Sequence, residues 1–175
     1  MEHKQISQTG NSDNGALNGV LSFGEFGNAI ASLFRPASKA EFQWKETGEL
    51  GDGKVQVFDY RVARENSPFN LRIGPQVATI GFHGQVFIDS ATRTVRRITE
   101  VVDNVPKGFT IRAASLSVDY DYVVINNHDY LLPVAAQVVL RNGRRESDLN
   151  AIEFRNFRRF GSNMKTLDFS PETKP

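Results

Sequence analysis

Two aspartates in one alternating segment are the first residues whose spacing could support chemistry. Asp119 and Asp121 stand two positions apart, so a strand would place both carboxylates on one face. Paired carboxylates can exchange protons with a substrate or bind a hard cation. Ser117 shares that face, and a solvated polar surface accounts for all three residues more simply. We therefore predict no catalytic residue and no metal site here.

The histidines form no pattern that is typical of catalysis. The chain has three, His3, His83 and His128, and only His83 lies in an apolar segment. A single histidine more often makes structural hydrogen bonds than performs catalysis. The spacings of zinc sites, nucleophilic serines and phosphate-binding glycine loops do not occur. We predict no cofactor and a protein that is not an enzyme. One alternative is an enzyme in a cone-shaped α+β fold that uses His83, Asp119 or Asp121 in a pocket.

A basic and aromatic segment runs from Arg141 to Lys165. It contains seven basic and three acidic residues, and Phe154, Phe157 and Phe160 recur in it at every third position. Such a surface can contact nucleic acid backbones or anionic lipids, but the favoured interpretation is that the phenylalanines enter the core under arginine stems. We keep its arginines as a candidate interaction surface: Arg144, Arg145, Arg155, Arg158 and Arg159.

The composition restricts the class of protein. The chain has 175 residues, a formal net charge of +1 and no cysteine. This length suits one domain with a real core. The absence of cysteine excludes disulfide scaffolds, thiol nucleophiles and cysteine-ligated metals. The near-zero net charge argues against a dedicated nucleic-acid-binding protein, so we expect no nucleic-acid partner.

One helix is predicted before the strands begin. Ser22 and Glu25 form a capping box, and Pro36 follows Arg35 as a stop signal. The apolar residues between them are spaced to form one broad face, which must pack on another element because so short a helix is not stable alone. These apolar residues are Phe23, Phe26, Ile30, Leu33 and Phe34.

Nearly everything after Ala40 has the character of antiparallel strands joined by short turns. The alternation from Leu116 to Val124 is the clearest signal, and Leu167 with Phe169 marks the last strand. The apolar run from Val77 to Asp89 reads as one long strand with bulges at its two internal glycines. The predicted class is α+β: a strongly curved antiparallel meander of about nine strands, a half-barrel, wrapped on one N-terminal helix.

The composition along the chain also predicts the domain organisation. Residues 1–19 are expected to be a disordered tail or linker, residues 20–170 a single helix-and-sheet domain, and residues 171–175 a frayed end. The chain contains thirteen phenylalanines, which either fill the core or line a ligand-sized cavity between helix and sheet. The predicted wall of that cavity is Phe26, Ile30, Phe34, Trp44, Phe58, Phe82 and Phe87.

Several segments carry a resemblance to bacterial envelope proteins. They are Gly24–Pro36, Gly84–Ile98, Val118–Tyr120 and Tyr130–Val134. Within the second, the hairpin from Asp89 to Ile98 is similar to one found in the outer-membrane lipoprotein carrier class, the LolA-like proteins. The resemblance covers roughly residues 22–169 as a pattern. It implies a curved antiparallel sheet, an unclosed half-barrel over helices, with an apolar cavity for acyl chains.

These observations lead to a first hypothesis and one main alternative. The first is a non-enzymatic envelope domain that binds a lipid or an apolar small molecule between sheet and helix. The alternative is a structural or protein-interaction module of a larger exported protein, which would use a free sheet edge or the Arg141–Lys165 surface to bind a partner. We expect no membrane-spanning segment. The location would be the periplasm or cell envelope if the chain is part of an exported precursor, and otherwise the cytoplasm.

Overall fold

The computed structural model describes residues 29–73, 75–109, 111–141 and 147–157. One short helix precedes two antiparallel sheets. The elements are α1 (Ala29–Phe34), β1 (Glu41–Leu50), β2 (Gly53–Val62), β3 (Asn70–Ile73), β4 (Gln76–Thr79), β5 (Phe82–Asp89), β6 (Val95–Val102), β7 (Ala113–Ile125), β8 (His128–Arg141) and β9 (Ser147–Glu153). The larger sheet has the order β1-β2-β5-β6-β7-β8-β9, and β3 pairs only with β4. In the described part of the chain, β1 and β9 are therefore the two edges of the larger sheet.

The second sheet corrects the predicted continuous meander. The run from Val77 to Asp89 is not one bulged strand, because it divides at Ile80 and Gly81 into β4 and β5. The carbonyl of Gly81 accepts the amide of Asp103 at 2.9 Å, and a Cβ at Gly81 would lie only 3.1 Å from backbone atoms of the preceding loop. Gly84 is not a bulge either, since it pairs in regular register between β2 and β6. The β3–β4 hairpin thus leaves the sheet, and β2 pairs directly with β5.

Most buried apolar side chains of the larger sheet lie on one face, which we call the inner face, whereas Val55 and Val57 of β2 are buried on the opposite face. Strand alternation places on the inner face a continuous set of residues from β2 to β8, nearly all of them apolar. The β3–β4 hairpin, the loops beside it and Leu33 of α1 contribute to the same core cluster. Inner-face members of that cluster include Tyr60, Phe82, Val86, Ile98, Leu116, Val118, Ala136 and Val138. The opposite, outer face carries most of the charged side chains of the central strands.

The end of α1 is held by one buried serine. Ser38, which is 1% exposed, donates through Oγ to the carbonyl oxygens of Leu33 and Arg35, both at 2.8 Å, and accepts the amide of Ala40 at 3.3 Å. These bonds satisfy carbonyl groups that every helix leaves open at its C-terminus. Pro36 begins a short 3₁₀ turn directly after the helix, so the predicted stop signal is confirmed.

The antiparallel sheet with little helix is the part of the predicted fold that the structure confirms, and α1 is consistent with the single predicted N-terminal helix. Several predictions fall outside the described residues. They are the helix start at Ser22, the last strand at Leu167 and Phe169, the tail of residues 1–19 and the frayed end of residues 171–175.

Candidate functional site

Four aromatic side chains lie where α1 meets the edge strand β1. The rings of Phe34 and Phe42 stack with centroids 5.4 Å apart, and Trp44 lies directly opposite Phe58 in the β1–β2 pairing. Phe34, Phe42 and Trp44 remain 46%, 43% and 56% exposed, while Phe58 is half-buried. We call these four residues the aromatic patch. So much exposed aromatic surface in one place is a typical mark of a binding surface.

The aromatic patch is continuous with the buried core. The ring of Phe42 lies 6.1 Å from that of Tyr60, which lies 6.1 Å from Phe82, which lies 5.0 Å from Phe69. These centroid distances are in the range of favourable aromatic pairs. The patch is therefore the solvent-facing end of the inner face and belongs to the same apolar layer as the core.

A hollow of about 480 Å³ adjoins the patch. Phe58 and Ile88 supply its apolar wall, and Gln56, Asp89, Ser90 and Arg93 supply polar groups, with the last three in or beside the β5–β6 turn. Ligand sites combine an apolar wall with a few polar groups in this way, and their volumes are commonly about 300–1,000 Å³.

Gln56 connects the hollow to the tryptophan. The indole Nε1 of Trp44 and the hydroxyl of Thr47 both donate to Oε1 of Gln56, at 3.0 and 3.1 Å. Nε2 of Gln56 donates to the hydroxyl of Ser90 at 3.3 Å. Because these three bonds span β1, β2 and the β5–β6 turn, they hold the indole in a defined position beside the hollow.

The structure brings together three of the seven predicted wall residues. Phe34, Trp44 and Phe58 belong to the aromatic patch, whereas Phe82, at 2% exposure, is packed in the core and Ile30 is half-buried against it. The hollow accordingly lies beside the β5–β6 turn, with its apolar wall on β2 and β5, and not beneath α1, whose Leu33 is packed in the core.

Two predicted wall residues do not join the patch. Phe87 lies on the outer face, because it is five positions from Phe82 in one strand and pairs with Val57 and Arg97. Phe82 and Phe87 therefore lie on opposite faces of β5. Phe26 lies outside the described residues.

The polar residues with possible catalytic roles lie in ion pairs on the outer face. Asp119 accepts two hydrogen bonds from Arg97, one of them at 2.9 Å, and Asp121 pairs with Arg96 at 3.6 Å. β6 has a bulge at this point, because Phe87 pairs with Arg97 and the next residue, Ile88, pairs with Val95. The extra residue of the bulge is Arg96, which explains how the adjacent Arg96 and Arg97 both reach aspartates on one face. These contacts hold the aspartates as surface ion pairs.

His83 belongs to a separate outer-face group. Its Nδ1 lies 2.6 Å from Asp103, which also pairs with Arg61 at 3.2 Å. His83 pairs with Val101 on β6, and Asp119 pairs with Arg97 on the same strand. Because Val101 and Arg97 are four positions apart, about 13 Å of strand separates His83 from Asp119. The structure thus does not bring His83 and Asp119 into one pocket. In the part of the chain that the structure describes, no group of three or more histidine, aspartate or glutamate side chains is placed to hold a metal ion.

Of the five arginines in the candidate interaction surface, the structure describes one. Arg155 follows β9 and donates to the carboxylate of Glu153, and both side chains are largely exposed. Arg144, Arg145, Arg158 and Arg159 lie outside the described residues. The basic surface therefore stays a prediction.

The sequence reasoning missed Glu100. Its side chain is 2% exposed on the inner face, between Gly84 and Leu116 in the cross-strand row. Neither carboxyl oxygen has a hydrogen-bond partner among the described residues. Burial raises the pKa of this carboxyl to about 7. The sequence did contain evidence for this burial, because Glu100 lies two positions from Ile98 and from Val102, where strand alternation predicts a side chain on the buried face.

Two buried tyrosines face this carboxyl. Burial raises the pKa of Tyr60 and of Tyr120, and the charge of Glu100 raises both further. The hydroxyl of Tyr60 donates to the carbonyl oxygen of Thr99 at 2.9 Å. The hydroxyl oxygen of Tyr120 accepts a hydrogen bond from the backbone of Ile30 in α1, which partly offsets its rise. Glu100 thus lies near the contact between helix and sheet.

No protein-family model, no curated protein and no solved structure matches the chain. The resemblance to the lipoprotein carrier class therefore stays a prediction. None of the helices in the described residues is both long and apolar enough to cross a membrane.

Proposed function

We propose that this protein binds an apolar ligand of the acyl-chain class at the aromatic patch and the adjoining hollow. One observation carries the proposal: Phe34, Phe42 and Trp44 are each more than 40% exposed, and Phe58, which pairs with Trp44, forms part of the wall of a hollow of about 480 Å³. Covering apolar surface stabilises a complex by about 25 cal/mol per Å², so these rings are a large source of affinity for an apolar chain. Their exposure in the free protein is difficult to explain by folding alone.

The lining of the hollow favours an amphiphile. An acyl chain would lie along Phe58 and Ile88 and then over the indole of Trp44. Its polar end would lie at the β5–β6 turn, near Ser90 and Arg93. Arg93 has no ion-pair partner in the described residues and so offers a positive charge to an anionic headgroup. A fatty acid is the simplest ligand with this chemistry.

The predicted half-barrel and the envelope location are part of this proposal. A sheet that curved about α1 would deepen the hollow and shield more of a bound chain. The resemblance to the lipoprotein carrier class favours that shape and a periplasmic or envelope setting. The open antiparallel order of the larger sheet is compatible with a half-barrel and does not bear on the location.

The main alternative, an interaction module that adds a partner strand at β1, has less support. The edge strand carries four charged residues, Glu41, Lys45, Glu46 and Glu49, and a register shift between Trp44 and Glu46. Charged side chains and bulges on an edge are devices that oppose strand addition. The exposed aromatic rings of β1 project from the inner face and not from its hydrogen-bonding edge, which favours a ligand over a paired strand.

Trp44 makes a sharp test possible because it is the single tryptophan in the chain. The full chain is titrated with stearate and with dibromostearate, whose bromine atoms quench an indole only in contact. We expect saturable quenching by the brominated acid and an emission shift without quenching by stearate. An unchanged Trp44 emission with both acids, in a folded protein, would contradict the proposal.

Two variants locate the binding surface. Phe58→Ala removes the apolar wall and should weaken binding about ten-fold or more, since it removes at least 1.4 kcal/mol of apolar contact. Val101→Ala is the matched control, because Val101 is 37% exposed but lies on the outer face. Equal affinity of the two variants would place the ligand elsewhere.

A further inference from the structure

Glu100 is a buried carboxyl with no hydrogen-bond partner in the described residues, and folding alone gives no reason for it. It lies in the row that runs from Tyr60 through Gly84 to Leu116. A neutral carboxylic acid is tolerated in such a place, but a carboxylate without donors or water is strongly disfavoured. The site is therefore stable in one protonation state and unstable in the other.

Among the described residues, few polar groups are available to compensate a charge on Glu100. The titratable groups of this part of the chain that face it are Tyr60 from β2 and Tyr120 from β7. The inner-face residues of β5 and β8 near it are glycine or apolar, and α1 has no titratable side chain within Ala29–Phe34. No lysine, arginine or histidine among the described residues shifts the pKa of this carboxyl, whose rise is due to burial.

The two facing hydroxyls already serve other contacts. Tyr60 donates to Thr99 within the sheet, at 2.9 Å. The oxygen of Tyr120 accepts from the backbone of Ile30 and so ties α1 to the sheet. If Tyr120 turns toward a carboxylate at Glu100, the tie to Ile30 is lost. Within the described residues, α1 is otherwise held by the burial of Ala29 and Leu33, by Ser38 and by the stacking of Phe34 on Phe42, so the bond to Tyr120 is one of few contacts of a short helix.

We propose that Glu100 is a proton-controlled latch for α1: the neutral acid leaves Tyr120 bound to Ile30, and loss of the proton to solvent draws Tyr120 and water toward the carboxylate and releases the helix. The raised pKa, about 7, puts the change in a range that ordinary solution conditions cross. Phe34 of α1 stacks on Phe42, so release of α1 would also open the aromatic patch. The latch deepens the proposed function by regulating that site, but its test needs no ligand and can fail or succeed separately.

Hydrogen exchange of the full chain at pH 6.0 and pH 8.5, corrected for the intrinsic effect of pH on exchange, measures the latch directly. Each pH unit between 4.5, the pKa of an ordinary glutamate, and about 7 multiplies the open population by about ten, and the effect levels off at higher pH. We expect the protection of the α1 amides to fall about ten-fold between the two pH values, while amides in the β6–β7 ladder keep theirs. In Glu100→Gln, whose side chain cannot ionise, protection of α1 should not change with pH. An equal loss of protection in helix and ladder would overturn the proposal, and so would a pH effect that persists in Glu100→Gln.

Two further measurements keep the proposal testable if Glu100→Gln does not fold. Carboxyl NMR of the wild-type chain should show one glutamate that titrates near pH 7, and titration of every glutamate below pH 5 would overturn the latch. Tyr120→Phe removes the hydroxyl that accepts from Ile30, so at pH 6.0 its α1 should already have the low protection expected of the wild type at pH 8.5. Tyr122→Phe, on the same face of β7 but 47% exposed, is the matched control. Wild-type protection of α1 in Tyr120→Phe would show that the tyrosine does not hold the helix.

Discussion

The hydroxyl of Tyr60 donates a hydrogen bond to the carbonyl oxygen of Thr99 at 2.9 Å, although the two residues lie on strands that are separated by β5. The side chain of Tyr60 reaches across β5 at Gly84, its direct partner in the β2–β5 pairing. The amide of Gln85 donates to the side chain of Thr99 at 3.0 Å in the same place. The inner face is thus held together here by a side chain that crosses a strand.

That crossing requires glycine at position 84. A Cβ added there would lie 1.8 Å from the carbonyl oxygen of Thr99, which is backbone and cannot move aside. We expect Gly84→Ala to destabilise the protein by about 3 kcal/mol or more, or to prevent folding, because overpacked cores respond on that scale. Gly48→Ala is the control, since its Cβ would meet nothing closer than a side-chain methyl group at 3.7 Å. Urea denaturation that gave the two variants the same midpoint would contradict the packing described for Gly84.

The sequence could predict β7 and the end of α1, because both depend on local signals. The alternation from Leu116 to Val124 needs only the period of a strand, and Pro36 ends a helix by its own chemistry. The departure of β3 and β4 could not be predicted in this way, because local periodicity does not say which strand pairs with which. That information lies in contacts between residues far apart in sequence.

The candidate site was predictable in part for the same reason. Aromatic residues at Phe34, Trp44 and Phe58 were expected to line one surface, but their meeting at an edge depends on the β1–β2 register. The position of Phe87 could have been predicted from the sequence, because two residues five positions apart in one strand, such as Phe82 and Phe87, lie on opposite faces. Glu100 was missed because a glutamate within a strand is normally solvated. Its burial becomes visible only in the structure, where other elements pack over this part of β6.

The ionisation of Glu100 should make stability depend on pH. Its pKa is about 7 in the folded protein and 4.5 for an ordinary glutamate, so the folded state binds the proton more tightly. The stabilising effect of that proton is fully present below pH 4.5 and is lost as the pH rises to about 7. Across this window the wild type should lose about 3 kcal/mol relative to Glu100→Gln. Urea denaturation of both proteins at several pH values measures the difference.

A matched acid-to-amide change separates this effect from general acid sensitivity. Glu49 is an exposed glutamate near the end of β1, and Glu49→Gln should follow the wild-type pH curve closely. If the wild type and Glu100→Gln kept a constant difference from pH 4.5 to pH 8, the buried carboxyl would not titrate as described.

Ser38 should contribute measurably to the docking of α1. Ser38→Ala removes the hydroxyl that donates to Leu33 and Arg35; the carbonyl of Arg35 keeps the backbone amide of residue 38 at 3.0 Å, but the carbonyl of Leu33 loses its side-chain donor. We expect a loss of about 1–2 kcal/mol in the free energy of unfolding, which is usual for a lost buried hydrogen bond. Ser115→Ala, at a half-buried position on β7, is the control and should change stability by less. A smaller loss in Ser38→Ala than in the control would contradict the capping role.

The ion pair between Arg97 and Asp119 should be the stronger of two outer-face pairs that can be compared directly. Both side chains are 34% exposed, and the hydrogen bond that Arg97 donates to Asp119, more than the charge of Asp119, raises the pKa of Arg97. A double-mutant cycle with Arg97→Gln and Asp119→Asn should give a coupling free energy of about 1 kcal/mol, reduced by salt. The pair of Glu153 and Arg155 is 62% and 70% exposed and should give a coupling near zero. Equal couplings would show that solvent screening, and not geometry, sets both.

Arg93 should distinguish anionic from neutral amphiphiles at the hollow. Its side chain lies at the rim, where an acyl carboxylate would end if the chain followed Phe58 and Ile88. Arg93→Gln should therefore weaken binding of dibromostearate about five-fold, the scale of an exposed ion pair, and leave binding of the corresponding dibrominated alcohol unchanged. Arg112→Gln removes a charge of the same kind in an exposed position outside the hollow and should affect neither ligand. Quenching of Trp44 measures all four affinities. An equal loss for acid and alcohol in Arg93→Gln would mean that the arginine supports the turn and does not recognise the headgroup.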